Sequence, residues 1–397
     1  MKNIQDISLE GKRVLIRVDF NVPLDEHFNI TDNSRILAAL PTIKKVISCG
    51  GKAILMSHLG RPKDGFEEKF SLKNIVKQLS KLIDRTVAFS NDCIGESTTA
   101  DISKMENGDV LVLENLRFYK EEKLGDLKFA KQLSELADIY INDAFGTAHR
   151  AHASTAIIAD YFPNNKYFGF LLSGEIESLE KALTTPKRPF TAIIGGAKIT
   201  GKIDVIKSLF DKVDNLIIGG GMAYTFAKAC GGNIGKSLVE EEKIGLAKQL
   251  IEDAKNRGVN LLLPSDSVNA NDFKNDANTN ITDIKNIADE YMGLDIGPES
   301  IASFSRIIKN SKTIIWNGPM GVFEMENFSK GTKEICEAIC EATENGAFSL
   351  VGGGDSVAAV KKFGFADKVS YISTGGGAML EYLEGKELPG VVAIQKS

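Results

Sequence analysis

Short apolar runs that end in glycine or polar residues alternate along the chain with longer segments of helical spacing. KRVLIRVDF, KAILMSHLG, DVLVLENLRF, IYINDAFG, FTAIIGGAK, NLIIGGG, NLLLPSD, KTIIWNGP and AFSLVGGG are runs of the first kind. SRILAALPTIKKVIS, SLKNIVKQLSKLI and EEKIGLAKQLIEDAKNRG are segments of the second. Strands that are apolar throughout, not only at alternate positions, are buried on both faces, and helices between them supply the cover. The pattern predicts an α/β protein with parallel sheets, whose ligands bind beyond the carboxyl ends of the strands. The polar tails of the runs are therefore where chemistry is expected.

The chain has 397 residues, 43% of them hydrophobic, which predicts two domains, with three as the alternative, and enough apolar residues for large cores. A net charge of -5 argues against a protein that coats nucleic acid. The amino terminus MKNIQDISLEGKR lacks the apolar core of a signal peptide, and no uncharged apolar run is long enough for a bilayer. A cytoplasmic protein is expected, with Cys49, Cys93, Cys230, Cys336 and Cys340 as buried thiols.

The two halves differ in kind. Arg13, Arg17, Arg35, Arg61, Arg85, Arg117 and Arg150 precede residue 151, whereas all but one of the glycine clusters follow it. FGFLLSGEIESLEKAL, residues 168 to 183, reads as one helix, and the turn-rich TTPKRP after it leads into the next strand. The domain boundary is expected there.

Arginine offers a planar fork matched to carboxylate and phosphate, so arginines past strand ends point to a small, highly charged acid. SHLGRP, ENLRF and GTAHRAH set Arg61, Arg117 and Arg150 in such places, and Arg35 joins them. Arg13 and Arg85 read as surface charges, and Arg17 lies inside a strand. His58, His149 and His152 occupy the same loops, where histidine can donate to phosphate or act as acid or base. With Asp19 and Asn21 of VDFNVP, the first half has the makings of a basket for a phosphorylated acid.

In the second half, Gly196 to Lys202 has P-loop spacing, but Ile203 stands where Ser or Thr would ligate magnesium. Lys198 and Lys202, four residues apart, are expected on one helical face, able to neutralise phosphates. GGGDS at residues 352 to 356 joins a strand to a helix start, where backbone amides and the positive helix end suit phosphate. WNGPMGVFE and STGGGAMLE add two further glycine turns. Glu324 could accept from ribose hydroxyls, and Asp355 could hold magnesium or cap its helix.

RVDFNVP, SHLGRP, ENLRF, NDAFGTAHRAHAS, GGAKITGK, MGLDIGPES, WNGPMGVFE, GGGDS and STGGGAMLEYLEG occur in the order and spacing of phosphoglycerate kinases. The chain resembles that family over essentially its whole length. The resemblance implies two Rossmann-like three-layer αβα domains with parallel sheets, joined by a hinge helix across a cleft. The first would span residues 1–170, with a tail of about 383–397 packing back on it, and the second residues 171–382. It implies that Asp19, Asn21, Arg35, His58, Leu59, Gly60, Arg61, Arg117 and Arg150 bind 3-phosphoglycerate or 1,3-bisphosphoglycerate. Lys198, Lys202, Gly293, Asn317, Glu324, Gly353, Gly354, Asp355 and Ser356 would bind ADP or ATP, with Asp355 directing Mg2+. Arg35, Lys202, Gly353 and Gly376 would be catalytic in a reversible, direct in-line transfer of glycolysis and gluconeogenesis, on closure about residues 168–190. A monomer without nucleic-acid or membrane partners is implied.

Ser356 stands where many relatives carry threonine, and Gly201 separates the lysines. Rival expectations are an ATP-binding protein using the same fold with a different phospho-acid, a P-loop ATPase, a non-enzymatic module that binds a phospho-acid, or a nicotinamide dehydrogenase. A P-loop ATPase leaves Ile203 and the arginine basket unexplained, the module would leave the second half idle, and the dehydrogenase fingerprint is absent.

Overall fold

RVLIR forms strand β1 (Arg13–Arg17), buried from Val14 to its end. In the computed structural model, which describes residues 3–396 apart from 6 and 64, β1 lies between β2 (Lys52–Met56) and β5 (Ile139–Asn142). Ile16 faces Leu55 on one side and Ile141 on the other. With β3 (Val87–Phe89), β4 (Val110–Val112) and β6 (Lys166–Phe168) the parallel sheet runs β3-β4-β2-β1-β5-β6. Strand order reverses between β1 and β5, and at such a switch point the loops diverge and leave a crevice at the carboxyl ends. Apolar residues of the helix Ser34–Ser48, among them Ile36, Ile43 and Val46, are buried in one cluster with Ile16 and Leu55.

A second parallel sheet joins β7 (Phe190–Ile194), β8 (Asn215–Ile218), β10 (Asn260–Leu262), β15 (Thr313–Asn317), β16 (Phe348–Gly352) and β17 (Tyr371–Ile372) in the order β10-β8-β7-β15-β16-β17. Its reversal falls between β7 and β15, with Asn317 opposite Ile194 and Gly352. Trp316 is wholly buried beneath it. Both sheets agree with the α/β reading.

Several elements differ from the sequence reading. β11 (Asp266–Ala270), β12 (Thr279–Asp283) and β14 (Met292–Ile296) form an antiparallel sheet, and β9 (Asn233–Ile234) pairs with β13 (Asn286–Ile287). TNITD alternates exposed and half-buried, so β12 lacks an apolar run, and two-residue strands carry no period. DVLVLENLRF is not strand throughout: Leu116–Phe118 is a helical turn whose start is held by the Asn115 side chain, accepting from Arg117 N at 3.0 Å. Phe168 ends β6, and the helix begins only at Phe170. Cys230 is exposed and Cys49 half-buried, against the expectation of buried thiols. Among the described residues no helix is long and apolar enough to cross a membrane.

The chain divides into two compact units, residues up to Glu177 with Glu387 onward, and Ser178–Lys386. The division lies inside the helix Phe170–Leu183. The first turn of that helix is fastened within the first unit. Phe170 N donates to Thr42 Oγ1 at 2.9 Å, and Leu172 N to Asp143 Oδ1 at 3.2 Å. Burial pushes the Asp143 carboxyl up to about 7. The carboxyl-terminal helix Pro389–Gln395 belongs to the same unit, with Gly390 N donating to Ala148 O at 2.8 Å.

A Cβ at Gly169 would lie 2.1 Å from Asp143 Oδ1, so Gly169→Ala must displace the carboxylate that caps the helix. Overpacking of this kind costs roughly 1–3 kcal/mol. Gly245, within the helix Ile244–Asn256, has open space at its Cβ, and Ala there gains up to ~1 kcal/mol of helix preference. Urea unfolding followed by circular dichroism should show the first midpoint fall and the second hold or rise.

Candidate active site

The candidate ligand-binding residues of the first unit gather at the carboxyl ends of β1, β2, β4 and β5. Asp19 follows β1, and its buried carboxylate accepts from Arg35 Nη1 at 2.8 Å, holding a half-exposed guanidinium in place. Asn21 Oδ1 accepts from Gly60 N at 2.8 Å, and Arg117 Nη1 donates to Gly60 O at 2.7 Å. The SHLGRP loop is thus pinned from both sides of one residue. Asn115 secures it further: its Oδ1 accepts from Leu59 N and its Nδ2 donates to Leu59 O at 2.7 Å. Leu59 itself is buried, so it contributes backbone, not side chain.

The electrostatics show that the arginines converge. Burial, then Arg150, Arg17 and, more weakly, Arg61 bring Arg117 down to about 10, still a cation at neutral pH. Burial holds His58 well below its ordinary range, and Arg17, Arg117, Arg35 and Arg150 add to it. His152 is brought down to about 4 by burial and by Arg150. Both imidazoles are neutral at pH 7. Arg61 and Arg150 remain exposed. Arg13, by contrast, pairs with Asp138 at 2.7 Å, and Arg85 reaches Gly108 O at 3.4 Å, in keeping with structural roles.

The second unit builds its site at the β7/β15 switch point. Gly195 N donates to Asn317 O at 2.9 Å, and a Cβ on Gly195 would fall 2.2 Å from Pro319 O. A Cβ on Gly318, at φ +103°, would fall equally close to Gly195 O. Only glycine lets these two turns touch. Asn317 is buried, donates through Nδ2 to Gly352 O at 3.0 Å, and accepts through Oδ1 from Lys202 Nζ. Ser356 Oγ accepts from Gly318 N at 2.6 Å, tying the start of the helix Gly354–Lys362 to the same turn. A cavity of about 400 Å³ results, walled by Lys198, Lys202, Gly353, Gly354, Asp355 and Gly376 among others.

It meets a second cavity, of about 480 Å³, at Gly196, Ala197 and Asp355. This one is largely apolar, with Tyr224, Leu238, Phe273, Gly293 and Val322 on its walls and Glu324 at its edge. A Cβ on Gly293 would meet the Tyr224 hydroxyl at 2.1 Å, so glycine is needed for that wall to close up. An anion cradle opening onto a flat apolar slot is the shape required by a planar aromatic group carrying phosphates.

Lys198 and Lys202 do not share a helical face. Thr200–Lys202 is a single 3-10 turn, and the α-helix starts at Ile203. Lys198 is exposed, whereas burial brings Lys202 down to about 8, with Asp355 partly opposing. Asp355 sits in the first helical turn, one residue past its start, and the cap position itself belongs to Gly353. Sequence reasoning missed Asn115, Glu122, Ser154, Tyr224, Leu238 and Phe273. Asn115 lay in view inside ENLRF and Ser154 at the end of NDAFGTAHRAHAS, Glu122 reads as one more charge in KEEK, and Tyr224, Leu238 and Phe273 have no turn or charge pattern to single them out.

The chain matches the phosphoglycerate kinase family over residues 4–386. It is 53% identical to a phosphoglycerate kinase of Porphyromonas gingivalis, over 99% of each chain. It is 55% identical to one of Thermosynechococcus vestitus, covering 97% of this chain and 96% of the relative. Its fold is similar to that of the Coxiella burnetii phosphoglycerate kinase structure at TM-score 0.90, with 42% identity over 99% of this chain and 98% of the other. The Pyrococcus horikoshii enzyme follows at TM-score 0.83 and 32% identity, over 100% and 98%.

Lys202 is an ammonium below about pH 8 and a neutral amine above it. Affinity for inorganic tripolyphosphate should therefore weaken as the pH rises through about 8, read by calorimetry. Lys202→Arg, which keeps its charge, should flatten that limb.

Proposed function

The chain belongs to the phosphoglycerate kinase family, and from that premise we propose how its residues divide the work of moving a phosphoryl group between 1,3-bisphosphoglycerate and ADP. The observation that carries the reading is the contrast between the two units. One offers arginines and neutral histidines for a compact acid, the other a glycine and lysine cradle joined to an apolar slot.

In this reading Arg35, Arg61, Arg117 and Arg150 take the phosphate and carboxylate of 3-phosphoglycerate, with Asp19 and Asn21 fixing the loops around it. His58, Leu59 and Gly60 complete that wall. The nucleotide base lies in the apolar slot beside Gly293, and Glu324 accepts from the ribose. Lys198, Asn317, Gly353, Gly354 and Ser356 hold its phosphates. Gly353, at φ +90°, lets the chain turn its amides toward the cradle ahead of the helix. Gly376 closes the opposite wall.

Mg2+ fits the donor set. Asp355 is an exposed carboxylate on the wall of both cavities, and magnesium is commonly held by one or two carboxylates together with substrate phosphates. When bound, the ion supplies charge neutralisation at the nucleotide phosphates. No protein nucleophile is required: phosphoryl transfer depends on in-line positioning and on cations around the moving group. Lys202 and Arg35 are assigned that role. Since the acid and the nucleotide are assigned to separate units, transfer needs both bound and the units closed on them, bending about residues 168–190 so that water is shut out.

The test is magnesium-dependent transfer from ATP to 3-phosphoglycerate, coupled to reductive consumption of the product. Lys202→Ala and Arg35→Ala should each lower kcat by roughly a hundredfold or more, as loss of one charge-stabilising group does elsewhere. Chelation should abolish turnover and added magnesium restore it. Binding of ATP without transfer to 3-phosphoglycerate would instead favour a different phospho-acid as substrate. Small-angle scattering should show a smaller radius of gyration with both ligands than with either alone; equal radii would count against closure.

A further inference from the structure

Beneath the arginine basket lies a buried chain of hydrogen bonds that the transfer chemistry does not use. Glu122, 1% exposed, accepts from Ser154 twice: from the backbone N at 3.0 Å and from the hydroxyl at 2.6 Å. A hydroxyl has one proton, so the Ser154 oxygen that donates to Glu122 is free to accept, and Arg17 Nε donates to it at 2.9 Å. Tyr140 holds Ser154 from behind, its hydroxyl donating to Ser154 O at 2.8 Å. Arg17, also 1% exposed, has a second donor on Val18 O and a third, Nη2, 3.2 Å from His58 Nδ1.

Arginine has donors only and keeps its protons at any working pH. The contact with His58 is therefore a hydrogen bond in one sense alone: Nδ1 accepts, and the ring proton resides on Nε2. Among the described residues this is the one hydrogen bond the His58 ring makes, so Nε2–H is left to meet a ligand. We propose that Glu122, Ser154 and Arg17 are positioning residues which hold His58 as its neutral Nε2–H tautomer, so that it meets the bound acid as a hydrogen-bond donor and not as an imidazolium or a base. The inference rests on the assignment of that basket to the acid substrate. The charged groups that act most on the ring, Arg17, Arg117, Arg35 and Arg150, are all cations and support the neutral form.

The relay has a chemical reason. An arginine buried among arginines would turn toward any acceptor in reach, and a carboxylate in direct contact would draw it away from His58. A serine between the two takes the Nε–H and leaves Nη2 for the imidazole.

The test uses the full-length protein labelled with 15N-histidine, read by long-range proton–nitrogen correlation, with His58 assigned from a His58→Gln sample. The parent should show His58 as a single Nε2–H tautomer that stays neutral from pH 8 to 6, and 3-phosphoglycerate should shift the Nε2 signal. An Nδ1–H tautomer, or protonation near the ordinary histidine range, overturns the proposal without any variant being made. Ser154→Ala should then mix the tautomers and raise KM for 3-phosphoglycerate roughly tenfold, the worth of one hydrogen bond to a charged group, with KM for ATP unchanged. A raised KM with the parental tautomer retained would mean that Ser154 acts only on packing and would overturn the relay. A parent with the Nε2–H tautomer but no transfer would count against the proposed activity alone.

Discussion

Cations gathered for a phosphorylated ligand repel one another until the ligand arrives, and the architecture of the site follows from that conflict. Arg117 is brought down to about 10 first by burial and then by its arginine neighbours, so repulsion adds to the cost of burying its charge. Each central cation is accordingly tied to an acceptor that cannot compete with phosphate for its whole charge. Arg35 uses one nitrogen on Asp19, Arg117 leans on the Gly60 carbonyl, and Arg17 reaches a serine that separates it from Glu122. Two-pronged ion pairs would satisfy the arginines and disarm them. Partial partners hold them in place and leave other donors for the phosphorylated acid proposed to bind there.

The second unit meets the same demand with backbone. A glycine turn presents amides at fixed positions without a repelling charge, and a helix start adds a favourable field. The turns after β7 and β15 can touch because Gly195 and Gly318 carry no Cβ, and that contact brings Asn317, Gly353 and Lys202 round one cavity. Lys202 is the one strongly perturbed cation of this set, since burial in the wall works against its charge. A phosphate would relieve that penalty on binding, which couples ligand affinity to the state of a single amine.

Both sites occupy strand-order reversals, β1/β5 in one sheet and β7/β15 in the other. The loops that leave such a point run in opposite directions, so residues far apart in the chain meet there. Asn21 and Gly60 are 39 positions apart, and Lys202 and Asn317 are 115 apart. The buried relay to His58 likewise joins β1, the loop after β2 and the segment around Ser154.

The sequence by itself determined the parallel α/β architecture, because unbroken apolar runs between amphipathic segments have one stable arrangement. It also marked Asp19, Asn21, Arg35, His58 and Arg117 and the glycine turns, since residues with unusual charge or backbone freedom past a strand stand out locally. The antiparallel sheet of β11, β12 and β14 escaped it, because a half-exposed polar strand such as TNITD has no apolar period. The shared face expected of Lys198 and Lys202 failed for a related reason: spacing of four implies one face only inside a helix, and the helix begins after them. Which partner each polar group takes was decided by tertiary structure alone. Nothing in one dimension links Glu122, Ser154 and Arg17, and their roles come from burial beside one another, where every donor must find an acceptor and little freedom remains in the choice.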